Sequence, residues 1–530
     1  MRYDKKIFRI AVALFAVVAS EACTGNFDKI NRPPYDAIKD EMTRDDYALR
    51  AAVTGMQNFV IPTQVHLYQF HEVLAADAFA GYTACTPQWT TKFSTYNPPT
   101  DWYRAPFNDV ISGVYPNWEL MKSFSEDDVV LALGKLFRVA AMHRITDTYG
   151  PIPYSKMSAA GGSSQSLSAP YDSQEEVYTR MMTELDEVIT VLTDNRFADP
   201  AAYRNLDNVY DGDILKWARF ANTLKLRMAI RIAYVKSSVA KTAAEEVAAS
   251  VVGTLATNGD NALLKVTENP LEMQVIQWGD ERAGADIVSY MNGYADPRIA
   301  KYFTVSTFRT PTVVAGAPAS EGFHGLRSGI DVSNKDVMTR YSMPIVAVTD
   351  PIMWMNAAEA AFLKAEGALR GWNMGGTAEQ FYTQGVELSF AQWGVSSAAV
   401  TYLADAVSTP APYVDPLGNY TYGGTGSSIT IKWDDAAGFE ANLERIITQK
   451  WIANFPLGNE SWAEFRRTGY PRLMPVVLNK SGGAIPTGEF IRRLNFPDTE
   501  YKENTDNIYK AVGLLGGPDS QGTKLWWDKK

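Results

Sequence analysis

Residues 445–473 read RIITQKWIANFPLGNESWAEFRRTGYPRL, and the fold turns on them. Ile446, Ile447, Trp451 and Phe455 recur at about one helical turn, so the stretch opens as an amphipathic helix. Pro456 and Gly458 end it. A second short helix follows, with Asn459 as its cap and Trp462 and Phe465 three apart. Arg466 and Arg467 then meet a Gly-Tyr-Pro turn, with Glu460 and Glu464 close by. Such a group of acids and bases is either an active site or a structural knot that fixes several helices. The helix-face spacing of the aromatics favours the knot. The two arginines should then bond helix C-terminal carbonyls or pair with carboxylates such as Glu366 or Glu460.

Outward from this stretch the same pattern returns as helix pairs over about 108–149, 173–236, 353–393 and 437–467. In the first, the acidic turn Glu126-Asp127-Asp128 joins two apolar-periodic runs. In the second, Ser173 and Glu176 form a capping box ahead of Val177, Met181, Leu185, Val188 and Leu192. Asp213 opens the partner, through Trp217, Leu224 and Ile232. In the third, helical order starts at Pro351, with Met355, Ala358, Phe362, Ala365 and Leu369 on one face. Thr377 and Gln380 cap the partner helix. A further short helix is predicted over Glu245–Leu255. Pairs repeated without strict identity suggest a mostly α fold on a tetratricopeptide-like scaffold. Irregular, loop-rich insertions with short strands fall at about 81–103, 258–349 (including the β-branched patch Phe303–Val314) and 405–435. Ala159–Ser168 reads as a surface loop. The tail from Pro486 to Lys530 shows little period.

The chain has 530 residues and a formal charge of −10, which argues against an electrostatic phosphate binder, and no basic run favours nucleic acid. Its first residues carry Arg2, Lys5, Lys6 and Arg9, followed by the apolar run Ile10–Ala19. Ser20-Glu21-Ala22-Cys23 then resembles a lipoprotein cleavage site, with residues 1–22 as signal and Cys23 as the lipidated first mature residue. Removal takes away four basic and two acidic side chains and leaves a charge of −12. A leader, residues 23–43, connects the anchor to a single domain that runs on to residue 530. With Cys23 acylated, Cys85 stands alone, so the core holds the fold without disulfides.

Most catalytic signatures are missing. The four histidines, His66, His71, His143 and His324, have no metal-binding spacing, and no cofactor or metal is expected. No nucleophile elbow or phosphate loop occurs. Carboxylate pairs such as Asp434-Asp435 could serve glycoside hydrolysis, but sequence cannot set their separation. The positive signal is aromatic. A Trp or Tyr ring can stack on the apolar face of a sugar, while Asp, Asn or Arg beside it bonds the hydroxyls. Two loop clusters have that composition: Trp89, Tyr96 and Trp102 in one, and Trp278, Asp280 and Arg282 in the other. Asp77 is a further candidate hydroxyl partner.

The order of several pieces resembles the SusD/RagB family of nutrient-binding surface lipoproteins. They are FDKIN after Cys23, RITDTYGPIPYS (144–155), GDILKWARFANTLKLRMAIRI (212–232), DPR (296–298), AEAAFLKAEGALRGW (358–372), QKWIANF…GNESWAEFRRTGYP and the terminal KLWWDK. The resemblance implies a non-catalytic outer-membrane lipoprotein facing the cell exterior. It implies a SusC-like TonB-dependent transporter as partner and an oligosaccharide as ligand. The RagB-type alternative is a peptide ligand, and a glycoside hydrolase is a more distant one. The shared pieces are scaffold motifs, so no binding residue carries over from them.

Overall fold

In the computed structural model, which describes residues 46–157, 169–308 and 322–530, side-chain caps fix where the main helices begin. Contacts gather Arg50–Lys530 into one compact unit. Helix α1 (Tyr47–Val60) is followed by the single turn α2 (Val65–Tyr68), which runs on into a wide π-helical stretch, Gln69–Asp77. Strand β1 (Thr83–Cys85) precedes α3 (Val110–Phe124) and α4 (Asp128–Tyr149). Asp127 caps α4 by accepting from the backbone N–H groups of Val129 and Val130 at 2.8 and 3.0 Å. Gly150, at φ 91°, stops it. The Ser173/Glu176 capping box opens α5 (Gln174–Asp194), and Asp213 caps α6 (Ile214–Arg231) through the Lys216 N–H. Helix α7 (Ser237–Ala249) follows.

The chain then passes β2 (Ala262–Leu264), β3 (Glu281–Ala283), α8 (Ala285–Gly293) and β4 (Ile352–Met355). Asn356 caps α9 (Ala357–Leu369), and the Thr377/Gln380 box opens α10 (Ala378–Gln392). Helices α11 (Gly438–Ala453), α12 (Gly458–Thr468) and α13 (Thr505–Leu514) complete the set used below.

From α3 to α7 each helix packs on the next; α6 also packs on α9, and α9 on α10 and α11. This is the mostly α, tetratricopeptide-like scaffold that the periodicity implied. Gly385 lets α9 and α10 close up, since a Cβ there would lie 2.7 Å from the Phe362 ring. The strands form two antiparallel pairs, β1 with β3 and β2 with β4.

The 445–473 stretch is the knot. Arg467 donates to both oxygens of Glu366, at 2.7 and 2.6 Å, and to Glu464 at 2.8 and 2.7 Å. Arg231 pairs with Glu460 and Glu464, and Lys450 lies 3.3 and 3.1 Å from the same two. Arg466 instead donates to the carbonyls of Trp462, Asp147 and Arg492 at 3.2, 2.6 and 2.8 Å, with its guanidinium over the Trp462 ring. All these side chains are buried. Glu366 is therefore the partner expected of Arg467, while Glu460 is taken by Arg231 and Lys450.

Four local expectations are corrected. Asn459 is not the cap of α12, which begins at Gly458; its amide donates to Thr148 Oγ1 at 3.0 Å. Order after Pro351 returns first as strand β4, because Asn356 delays the helix by capping at Ala357. The short helix is Ser237–Ala249 rather than Glu245–Leu255. The tail is not without period: Asp498–Glu503 and α13 are helical. In the β-branched patch, Phe303 makes one bridge to Pro344 and residues 304–308 form no strand. The remainder of that patch, the signal, Cys23, the leader up to residue 43 and the loop 159–168 lie outside the described residues.

Candidate functional site

The two aromatic clusters, nearly two hundred residues apart in sequence, meet through one strand pair. β1 and β3 run antiparallel with Thr83 opposite Ala283, Ala84 opposite Arg282 and Cys85 opposite Glu281. Beyond the pair, the Thr86 N–H donates to the Asp280 carbonyl at 2.8 Å and its hydroxyl to the Gly279 carbonyl at 2.6 Å. The Gln88 amide donates to the Ser333 carbonyl at 2.6 Å. Lys335 ties the other side, donating to the Trp278 carbonyl at 2.8 Å and to Asp280 at 2.6 Å. Ladder and loop bonds thus hold Trp89 and Trp278 in the same neighbourhood.

Between them runs the segment formed by α2 and its π-helical continuation. Trp278 stacks on His66, centroids 5.4 Å apart and planes 27° apart. One turn on, Phe70 meets Trp102 at 5.0 Å, and Trp102 meets Trp89 edge-on at 5.5 Å. The result is an aromatic strip, Trp278–His66 and then Phe70–Trp102–Trp89. His66 is exposed and the other four rings are half-buried. Ile276, two residues before Trp278, is 44% exposed. Neutral hydrogen-bonding side chains, Gln64, Gln88, Thr90, Thr91, Gln277, Ser333 and Asn334, are exposed around the strip, with the carboxylates of Asp101, Asp331 and Asp336 close by in sequence.

Three wide π-turns surround this strip. Phe70 lies within Gln69–Asp77, Trp102 just precedes Ala105–Asp109, and Trp278 follows Met273–Gln277. Such turns are rare and recur where a side chain must be re-aimed for function.

Of the residues singled out in the sequence, Trp89, Trp102 and Trp278 are brought together with surface to spare. Tyr96 and Asp77 are not. Tyr96 is buried near Phe79. Asp77 is sealed against Gly458, where a Cβ would collide with it. Burial and nearby Glu72 push its carboxyl well above the usual range. Asp280 is buried and engaged by Lys335. Arg282 is buried and donates to the carbonyls of Thr339, Val275 and Glu281 at 3.0, 3.3 and 2.6 Å, so it holds the turn that presents Trp278. These four side chains are buried and lie outside the exposed strip.

His66 and Phe70 were not singled out as ligand residues. Their i, i+4 spacing on a helix was the available signal. Only the partners Trp278 and Trp102 give it meaning.

The strip shows no acid–base machinery. Glu281 is fully buried in β3, and burial together with Asp280 raises its carboxyl well above the ordinary value. Elsewhere, Asp434 caps a short turn through the Ala436 N–H, and Asp435 accepts from the Trp433 indole at 2.7 Å. Among the described residues no group of three or more His, Cys, Asp or Glu is placed to hold a metal ion.

The profile of a family described as SusD and RagB outer membrane lipoproteins matches residues 29–528. Among solved structures, a SusD homologue from Bacteroides thetaiotaomicron is 45% identical. The match covers 91% of this chain and 99% of that one, with a TM-score of 0.84. One from Bacteroides uniformis is also 45% identical, over 92% and 100%, with a TM-score of 0.86. A chitin-binding SusD homologue from Flavobacterium johnsoniae is 39% identical, over 91% and 99%, with a TM-score of 0.82. No curated protein sequence matches the chain.

Proposed function

This chain belongs to the SusD-like family of outer membrane lipoproteins, and we propose that it is a non-catalytic surface protein that captures oligosaccharides on its aromatic strip. The carrying observation is the strip itself: the pair Trp278–His66 and the row Phe70–Trp102–Trp89, one helical turn apart, with neutral amides and hydroxyls around them. Rings of this kind supply large apolar area at small entropic cost, and the amides and hydroxyls answer sugar hydroxyls. The abundance of amides and hydroxyls around the strip fits an uncharged glycan. The chitin-binding relative makes chito-oligosaccharides the first ligands to try. Commitment of Asp280 to Lys335 and burial of Asp77 and Glu281 support binding without hydrolysis.

The rest of the reading follows the family. The mature chain is one domain, held at the outer membrane by lipid on Cys23 and facing outward. It hands its ligand to a SusC-like TonB-dependent transporter. The test of the binding step is titration of a panel of neutral oligosaccharides, followed by Trp89→Ala, Trp102→Ala and Trp278→Ala. Unchanged affinity in all three would remove this site, and selective capture of peptides from a digest would replace the sugar with a peptide.

A further inference from the structure

The segment from Val65 to Asp77 has a second face. His66 and Phe70 belong to the aromatic strip. Tyr68 and Glu72, each two residues further on and so roughly half a turn round, line a separate cavity of about 360 Å³. That volume lies within the range of small-ligand sites. Its walls are apolar, with Leu271, Met353, Trp393, Phe455 and Leu457 prominent among them.

The polar groups in the cavity are mainly acceptors, beside the Gln392 amide and the buried indole N–H of Trp393, which has no partner among the described residues. Glu72 is 2% exposed; one carboxylate oxygen takes the Arg144 guanidinium and the His71 ring, and the other accepts no bond from a described residue. The Tyr68 hydroxyl, on a side chain 4% exposed, likewise makes no hydrogen bond to a described residue. Asp350, exposed near Ile345 and Pro351, uses one oxygen for the Ala347 N–H and leaves the other open. The Gln392 amide nitrogen donates only to the Met353 sulfur, at 3.6 Å. No lysine or arginine lines the cavity. These oxygens of Glu72, Tyr68 and Asp350 open onto the cavity and stand ready to accept from a donor that enters it.

We propose that this cavity is a second binding site, for a small organic amine with an apolar body and a protonated amino group. The body fills the space between Trp393, Phe455 and Leu271. The ammonium donates to the free oxygen of Glu72 and to the Tyr68 hydroxyl, and the aromatic walls favour its charge. An anion meets Glu72 and Asp350, and the Arg144 guanidinium that pairs with Glu72 does not line the cavity. The site is independent of the glycan reading, because it uses the opposite face of the segment.

The test uses the full chain and three probes of one shape: benzylamine, benzyl alcohol and benzoate, followed by saturation-transfer NMR and calorimetry. Benzylamine should bind at millimolar concentration and benzoate at least about tenfold more weakly, as expected for a like charge brought beside a carboxylate. Two variants locate the site. Val346→Trp fills the cavity and should abolish the benzylamine signal. Ile345→Arg, at a position 49% exposed, puts a cation at the rim without touching the core and should weaken benzylamine while improving benzoate. No transfer to benzylamine in the wild type, benzoate binding equal to benzylamine, or benzylamine binding unaltered by Ile345→Arg would each overturn the proposal. Oligosaccharide affinity in the Ile345→Arg protein should remain at the wild-type value, which separates this site from the strip.

Discussion

Glu464 and Glu281 are both buried, yet their surroundings treat them in opposite ways. Burial alone pulls the Glu464 carboxyl up, but Arg467, Lys450 and Arg231 outweigh it and hold the group well below its ordinary value. Glu366 is held down in the same way, by Arg467 and Arg370. Under the aromatic strip the balance reverses. Burial raises Glu281, Asp77 and Asp286, and the cations nearest them, Lys92, Arg144 and Arg327, offset it too little to bring them down. Glu460 is the exception in the knot, raised by burial despite Arg231, Arg227 and Lys450, because it shares those cations with other carboxylates. The scaffold therefore uses charge to lock helices together, while near the ligand side burial pushes Glu281, Asp77 and Asp286 toward the neutral form and Lys335 neutralises Asp280. A glycan surface gains from that difference, since fixed charge under it would hold water.

The comparison breaks most visibly at Arg467. Arg467→Ala leaves Glu366 and Glu464 buried without their shared fork, and should cost about 3–5 kcal/mol in urea unfolding. Sugar affinity of the protein that still folds should not change. Trp102→Ala is the mirror experiment. It should cut oligosaccharide affinity about 10- to 100-fold in calorimetry, with a much smaller loss of stability than Arg467→Ala. If the two variants each lost both properties, the division into scaffold and surface would fail.

A subtler contrast lies in pH. Asp286 is raised to about 6 by burial, so the stability it contributes is present below the unfolded carboxylate value and lost as pH rises through about 6. Asp286→Asn keeps an acceptor for the Met474 N–H. It should gain about 1–2 kcal/mol near neutral pH and nothing in acid, read from unfolding curves across that range. Glu72 has the opposite sign. Burial raises it, but Arg144 and His71 bring it down to about 2, so its contribution holds above the unfolded value of 4.5 and fades only as pH falls toward about 2. The smallest expected effect is at His66. His66→Ala, exposed and one ring of the strip, should weaken the sugar by about two- to fivefold, consistent with the loss of one aromatic contact. No change would shorten the surface to the Phe70–Trp102–Trp89 end.

The scaffold was legible because its signals are local. Ser173 and Glu176, Thr377 and Gln380, and Asp213 announce their helices within four residues, and the apolar faces of α5 and α9 follow at a helical period. The Arg467–Glu366 pair was also within reach, because a buried guanidinium demands a carboxylate. The site was only half legible. Three tryptophans could be named from composition, but the β1–β3 register that joins them is a long-range fact that neither segment carries alone. Asp77 and Arg282 resemble hydroxyl partners in a list of residues. Their burial depends on Gly458 and on the carbonyls of the 273–281 turn, which no spacing rule reveals. His66 and Phe70 were missed because an exposed ring on a helix means little until a partner ring lies against it.

The central claim, that the strip and not the scaffold takes the ligand, is tested most directly by calorimetric titration of the Trp102→Ala/Trp278→Ala double variant. The ligand is the tightest-binding member of a neutral oligosaccharide panel that includes chito-oligosaccharides, and Tm is measured on the same samples. The account predicts that wild type binds and that the double variant loses at least about 100-fold in affinity, the scale of two anchor rings, while Tm stays close to wild type. Full affinity retained by the folded double variant would contradict it.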